Sequence, residues 1–175
     1  MASFSTSWAT SSNPLSVHDV AIQSFATERH LMPTTRAQIL EFMRGHSLAV
    51  QASVSISNSP QAAVVGFIVT DDFEIFFDTL DTTRKISNLR SNSRVAFVVG
   101  GLADSDERTV QYEGVADEPY GPDLERLKER YFTRFPDGRD RQAWAGLIYV
   151  RARPRWVRFS DFNRTPPEIV ELAFG

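Results

Sequence analysis

Apolar residues recur along this chain in the pattern of successive short β-strands. Between Ser47 and Ser57 every second residue is apolar, which is the period of a strand with one buried face. Ala62–Val69 is apolar at nearly every position and predicts a strand buried on both faces. Asp71-Asp72 then turns the chain into Phe73–Thr79, so we expect these two segments to pair as a hairpin.

Three later segments have the same character. Arg94–Val99 predicts another buried strand and Thr109–Glu118 an alternating one. Gly146–Phe159 predicts one or two strands interrupted at Pro154, because proline favours an edge or a bend. Strands that arrive in succession, without alternating helices, predict a mostly β (α+β) fold with a small antiparallel barrel.

Helical patterns lie between and before these strands. Apolar residues from Ile39 to Met43 predict a helix of about ten residues, with Thr34 or Thr35 as N-cap and Gly45 as a left-handed residue after the last turn. Pro122–Arg134 predicts a surface helix that begins near its proline. A short helical pattern also covers Val20–His30.

Composition narrows the classes of function. The 175 residues suit one domain, and we expect a loose serine-rich tail over residues 1–18 and a single domain over 19–175. The chain has no cysteine, which excludes thiolate metal sites, and its histidines have no paired spacing, so we expect no metal site. A formal net charge of -3 argues against a nucleic-acid partner. Because no signal peptide and no membrane span are readable, we expect a cytoplasmic protein.

The segment from Asp78 to Arg90 carries the candidate chemistry. Thr82 and Thr83 occupy N-cap positions of a short helix, which places Arg84 and Lys85 in its first turn. Positive charge there opposes the helix dipole, so it needs an explanation. A bound phosphate is one, because N–H groups, hydroxyls and cations would converge on it. Pairing of Arg84 and Lys85 with Asp78 or Asp81 is the alternative.

With the strands on either side, this segment resembles the pyridoxamine 5'-phosphate oxidase-like flavoproteins of the split-barrel fold. The resemblance rests on Asp78-Thr79, Thr83-Arg84-Lys85, Asn88-Leu89-Arg90 and Asn92, with Arg94 opening the apolar strand that follows. It implies a split β-barrel of about six antiparallel strands, and a homodimer that holds FMN at the subunit interface and acts on a small-molecule substrate. A deazaflavin (F420) or haem is the alternative cofactor, and a flavin-binding or stress-associated module without turnover is the alternative function.

The resemblance also assigns roles to residues. Arg84 and Lys85 would bind the FMN phosphate with help from Thr83, and Asp78 and Thr79 would touch the cofactor. Backbone groups of Ala63, Val64 and Val65 would line the flavin ring. Thr109 takes the position of a family glutamine, and Gln111, on the same face of the strand, is its candidate substitute.

Other features separate this chain from the true oxidase. The family's C-terminal arginine and histidine process the vitamin substrate, whereas this sequence has no histidine after His46. Authentic pyridoxamine phosphate oxidation is therefore not expected, and no catalytic acid or base is assigned. We predict that His46 lies at the C-terminal end of a helix and interacts with the helix dipole, with axial ligation of haem as the alternative. We predict core or dimer-interface packing for three aromatic residues, Trp144, Trp156 and Phe162, with stacking on a cofactor ring as the alternative.

Overall fold

The computed structural model describes residues 32–101 and 105–175. The predicted tail at 1–18 and the helical pattern at Val20–His30 lie outside the described residues. Thr34–Gly175 forms one compact unit. Within the described residues, no helix is long and apolar enough to cross a membrane.

The described chain contains four helices and eight strands. The helices are α1 (Arg36–Gly45), α2 (Arg84–Ser91), α3 (Gly121–Arg134) and the single turn α4 (Gly138–Arg141). The strands are β1 (Leu48–Val54), β2 (Pro60–Gly66), β3 (Ile68–Val69), β4 (Ile75–Leu80), β5 (Arg94–Gly100), β6 (Arg108–Asp117), β7 (Leu147–Asp161) and β8 (Glu168–Ala173).

All strand pairs are antiparallel and belong to one curled sheet in the order β2-β1-β5-β6-β7-β4-β3, with β8 added beside β7. This confirms the predicted split β-barrel with flanking helices. The prediction of about six strands missed β8, which follows Pro166-Pro167, and did not separate the two-residue β3 from β2. The predicted hairpin is confirmed only at its turn, where Ile68 pairs with Phe76 and Val69 with Ile75, because the preceding strand β2 pairs with β1 instead.

Side chains that alternate along the strands fill the core inside the curl. Phe77, Phe97 and Tyr112 are among its largest fully buried members. Their rings contact one another edge to face, Phe77 to Phe97 at 6.0 Å and Phe97 to Tyr112 at 5.6 Å between centroids. A second, smaller cluster lies where Phe76 of β4 packs against Leu127, Tyr131 and Phe132 of α3. The sheet therefore buries one face of β4 in the barrel and the other under α3.

The two larger predicted helices are confirmed. Thr35 caps α1 through a capping box, in which the Thr35 hydroxyl accepts from the Gln38 N–H and the Gln38 side chain accepts from the Thr35 N–H. Gly45 was expected in a left-handed conformation, but it is the last helical residue and the helix ends through extended backbone at His46. In α3, Pro122 lies in the first turn as predicted.

Two strands expected to be buried on both faces are not. β5 alternates between buried and exposed residues because only one of its faces meets the core. β2 is an edge strand of the sheet, and Val64 on its outer face is 63% exposed. The apolar runs in these two segments reflect a second apolar surface that the described residues leave uncovered.

Gly146–Phe159 was expected to break at Pro154, but β7 is continuous over fifteen residues. The register shifts there, since Glu113 pairs with Trp156 while Gly114 pairs with Pro154, and Arg155 is the extra residue of a bulge. Gly114 has no room for a side chain, because a Cβ would meet the Tyr112 ring at 2.8 Å and the Arg153 carbonyl more closely. The bulge lets the strand pass its proline without ending.

Candidate functional site

The start of α2 presents unsatisfied donors. Thr83 is the N-cap residue with extended backbone, as predicted, but its hydroxyl does not cap the helix. The Thr83 hydroxyl instead donates to the Leu80 carbonyl at 2.8 Å, which closes the turn between β4 and α2. The Ile86 N–H donates to the Thr83 carbonyl at 3.1 Å, so the N–H groups that remain available to a ligand in the first turn of α2 are those of Arg84 and Lys85.

Lys85 lies at the centre of the polar cluster around this helix start. Its Nζ donates to the Thr79 hydroxyl at 3.3 Å, and the Thr79 and Thr83 hydroxyls are 3.4 Å apart. The Lys85 side chain is half-buried and forms no ion pair with another described residue, and burial lowers the pKa of Lys85. The structure thus brings Thr79, Thr83 and Lys85 together around an ammonium group without a neutralising carboxylate.

Arg84 is exposed beside this cluster and also forms no ion pair within the described ranges. The alternative of pairing with Asp78 does not hold, because Asp78 is occupied by other donors. Its carboxylate accepts from the Tyr131 hydroxyl at 2.9 Å and from Arg141 Nε at 2.9 Å. Burial and the Asp78 carboxylate raise the pKa of Tyr131.

Asp78 and Thr79 therefore point to opposite faces of β4. Thr79 shares the barrel face with Phe77, whereas Asp78 shares the face of Phe76, which packs under α3. The sequence grouped the two residues as one cofactor contact. The structure brings Thr79 to the Lys85 cluster and gives Asp78 a bond network with α3 and α4.

Asn88 fixes α2 to the sheet and was not singled out as a site residue by the sequence. Its Nδ2 donates to the Ser53 hydroxyl and to Gln61 Oε1, both at 3.1 Å. Ser53 of β1 and Gln61 of β2 are cross-strand neighbours, so one amide group joins the helix to two strands. Lys85 and Asn88 are three residues apart and share a helix face, which is the signal that could have identified this tether.

The predicted ring-lining segment lies next to this tether. Ala63 and Val65 occupy the same face of β2 as Gln61, and Val65 is buried in the core. Val64 points to the opposite, exposed face. Because β2 is the first strand of the sheet, backbone groups on its outer edge have no strand partner within the described chain.

Gln111 is not brought to the Lys85 cluster within one chain. It lies in an outward-facing row of paired residues across the sheet: Val64, Val50, Val98, Gln111 and Arg158. Its neighbours Val110 and Tyr112 point into the core, so Gln111 faces away from it. Val98 beside it is 42% exposed and Leu48 on the same face of β1 is 56% exposed.

Trp144 and Phe162 are not core residues, since they are 56% and 51% exposed. That part of the prediction is wrong, and the interface part stays a prediction. Trp156 is half-buried on β7. His46 is a helix C-terminal residue as predicted, and its Nδ1 lies 2.9 Å from the Phe42 carbonyl.

The family model of pyridoxamine 5'-phosphate oxidase matches residues 35–161, which cover most of the chain and all of the site described above. This chain belongs to that family. A sequence search of curated proteins returns no match.

Solved structures share the fold at low sequence identity. A haem binding protein from Mycobacterium smegmatis has a TM-score of 0.69 and 15% identity, over 82% of this chain and 60% of that one. HutZ, a haem storage protein from Vibrio cholerae, has a TM-score of 0.61 and 17% identity, over 71% of this chain and 92% of that one. A putative pyridoxamine 5'-phosphate oxidase from Listeria innocua has a TM-score of 0.55 and 16% identity, over 70% of this chain and 95% of that one.

Proposed function

We propose that this protein binds FMN and transfers hydride or electrons to or from a small molecule. The observation that carries the proposal is the Lys85 ammonium at the start of α2, half-buried, 3.3 Å from the Thr79 hydroxyl and without a carboxylate partner in the described ranges. A phosphate placed there would receive the ammonium, the first-turn N–H groups and the Arg84 guanidinium. Family membership supports the same cofactor.

The donor set fits a flavin phosphate for a second reason. Burying an ammonium without a partner is unfavourable, and a dianion at the helix start would compensate it. When bound, FMN supplies the carrier of hydride or electrons, and the protein contributes position and electrostatics. In this proposal Thr79, Thr83, Arg84 and Lys85 hold the phosphate, Asn88 keeps α2 in place, and the β2 backbone around Ala63 lines the ring.

A homodimer with the cofactor at its interface is part of the proposal. Gln111 and the exposed Val64 and Val98 lie on a sheet face that is turned away from the core of their own chain. A second copy that covers this face would bury its apolar side chains and bring Gln111 next to the partner's cofactor. Trp144 and Phe162 are also exposed aromatic residues, and their assignment to an interface remains a prediction.

FMN titration of the purified full chain tests the proposal through the quenching of flavin fluorescence. We expect Lys85→Met and Arg84→Met each to weaken binding about tenfold, in line with about 1.5 kcal/mol for a hydrogen bond to a charged group. Arg90→Met is the matched control, because it removes a cation from the same helix that is already paired with Glu118 at 2.7 Å. Wild-type protein that fails to bind FMN, or equal losses in all three variants, would contradict the proposal.

Haem binding is the second candidate function. Two of the structural neighbours described above bind or store haem by name, and they share the fold of this chain. A haem protein needs an axial donor, and the described residues include one histidine, His46, whose Nε2 is free once Nδ1 bonds to the Phe42 carbonyl. The donor chemistry of the chain therefore fits haem as well, through a different residue from those that would hold FMN phosphate.

A further inference from the structure

We propose that the groove beside Arg94 and Arg155, on the sheet face that is turned away from the core, binds a small aromatic carboxylic acid. The groove has a volume of about 600 Å³, within the usual range for small-molecule sites. It crosses β1, β5, β6 and β7 and shares no residue with the Thr79–Lys85 cluster. This second ligand goes beyond the proposed binding of FMN, so its site can be tested in protein to which no flavin is added.

Alanine side chains form the floor of this groove. Ala52 of β1 pairs with Ala62 of β2 on one side and with Ala96 of β5 on the other, so three alanines lie in one row across the sheet. Ala52 is exposed and Ala96 is half-buried, so a ligand can reach both. The rows on either side carry longer valine side chains, Val54 in one and Val98 in the other. Because successive rows of one sheet face are about 7 Å apart, the alanine row forms a shallow apolar slot that suits a flat ring.

The bulge in β7 brings Arg155 to the end of this slot. Glu113 pairs with Ala96 on one side and with Trp156 on the other, so it continues the alanine row. Arg155 is the extra residue of the bulge and lines the groove together with Glu113. In a regular strand Arg155 and Trp156 would point to opposite faces, and a bulge re-aims a side chain in this way next to many functional sites. The irregularity of β7 therefore adds a cation to an open groove.

Two guanidinium groups at this end of the groove have no carboxylate partner among the residues that the structure describes. Arg94 of β5 is a diagonal neighbour of Glu113, and Arg155 lies beside Glu113 on β7, yet neither arginine bonds to it. By contrast Arg153, two residues before Arg155, pairs with Asp117 at 3.0 Å. A planar carboxylate matches the donor fork of a guanidinium. The groove therefore offers two cationic partners to one carboxylate.

The floor and the charges together define the class of ligand. The row from Ala62 to Glu113 crosses four strands, which is about 14 Å at the usual spacing of about 4.8 Å between strands, so the slot has room for two fused rings. The two arginines at one end favour a single anionic group there. The Glu113 carboxylate repels a second negative charge, so a monocarboxylate suits the groove better than a phosphate dianion.

Equilibrium dialysis of 2-naphthoate against the full-length protein, without FMN, tests the charged end of the groove. We expect Arg94→Met and Arg155→Met each to raise the dissociation constant about tenfold. Glu113→Gln should lower it about threefold, because a negative charge beside the bound carboxylate is removed. Arg153→Met is the matched control and should leave binding unchanged, because this guanidinium is already paired and lies outside the groove. The neutral 2-naphthamide, which has the same shape, should bind wild-type protein about tenfold more weakly.

Ala52→Leu tests the floor. The larger side chain fills the slot at an exposed position, so binding of 2-naphthoate should be lost while the thermal midpoint stays at the wild-type value. Light scattering gives the molar mass of the variant. A fall in that mass relative to wild type would show that a second copy of the chain covers the groove, and would overturn the proposal.

Other results would overturn it as well. These are wild-type protein that does not bind 2-naphthoate, equal affinity for the amide, equal losses in Arg153→Met and Arg155→Met, and displacement of 2-naphthoate by an equal concentration of inorganic phosphate. Loss of 2-naphthoate binding in Lys85→Met would assign the molecule to the start of α2 instead. Because the dialysis contains no FMN, failure of the FMN titration described above and failure of this site are separate results.

Discussion

The Asp78 carboxylate and the Arg141 guanidinium form an ion pair at 2.9 Å, with only 14% and 17% of their side chains exposed. The Tyr131 hydroxyl donates to the same carboxylate. Through these bonds the end of β4, which also carries Thr79, is held to α3 and α4. Asp78 therefore stabilises the end of β4 and does not face the Lys85 cluster.

Asp78→Asn should lower the free energy of unfolding by about 2–4 kcal/mol, because Arg141 and the Tyr131 hydroxyl lose a largely buried charged partner. We expect the affinity for FMN to stay within about threefold of wild type, since the side chain points away from the cluster. Chemical denaturation and FMN titration measure the two effects. Asp137→Asn is the matched control, because Asp137 pairs with the same arginine but is 69% exposed, and it should change stability by less than about 1 kcal/mol. A large loss of FMN affinity with stability unchanged would instead restore the cofactor contact that the sequence predicts.

Asn88→Ala should both destabilise the protein and weaken FMN binding. It removes the donor to Ser53 and Gln61, so α2 loses its bonds to β1 and β2 and the buried Ser53 hydroxyl loses its partner. We expect a loss of about 1–3 kcal/mol in the free energy of unfolding. Ser91→Ala, on the same helix but exposed and bonded only to the Ser87 carbonyl, should change neither quantity. Unaltered FMN affinity in the Asn88 variant would show that the tether does not position the phosphate site.

Lys85 should make FMN binding weaken at alkaline pH. Burial lowers the pKa of Lys85 below its ordinary value of 10.5, so the folded protein without ligand releases this proton before the unfolded chain does. Stability of the unliganded protein should accordingly rise as the pH increases between the folded and unfolded pKa values, because the unfolded chain binds more protons there.

A bound phosphate favours the charged form of Lys85, so the affinity for FMN falls as the pH rises through the pKa of Lys85. Lys85→Arg should keep its affinity over the same range, since a guanidinium does not titrate there. Identical pH profiles for wild type and Lys85→Arg would contradict the placement of the phosphate on Lys85.

Two tyrosines with buried hydroxyl groups should differ in how their stability responds to loss of the hydroxyl. The Tyr112 hydroxyl donates to the Ala152 carbonyl at 2.7 Å, so Tyr112→Phe should lower the free energy of unfolding by about 1–2 kcal/mol. The buried Tyr149 hydroxyl has no hydrogen-bond partner within the described structure, so Tyr149→Phe should be neutral or stabilising. Thermal unfolding of the two variants measures the difference. Equal destabilisation would mean that the Tyr149 hydroxyl is satisfied by an ordered water.

Local pattern predicted much of the architecture. The alternation in β1 and β6, the threonine N-cap of α1 and the proline at the start of α3 depend on residues close in sequence, so the sequence predicted them. The continuity of β7 could not be predicted from the sequence, because it depends on a bulge opposite Gly114 in another strand. The exposure of Val64 could not be predicted either, since the position of a strand in the sheet decides which of its apolar faces is covered.

For the candidate site, the sequence by itself determined which residues meet at one helix start: Thr83, Arg84 and Lys85 are consecutive, and a cap and its first turn are local features. Only the tertiary structure decided which distant groups join them. In the folded chain Lys85 bonds to Thr79, Arg141 bonds to Asp78, and Asn88 bonds to two strands. Gln111 lies on the sheet face that is turned away from the core. The reason is physical: helix periodicity and capping are set within a few residues, whereas the partners of a side chain across a sheet depend on strand order and register.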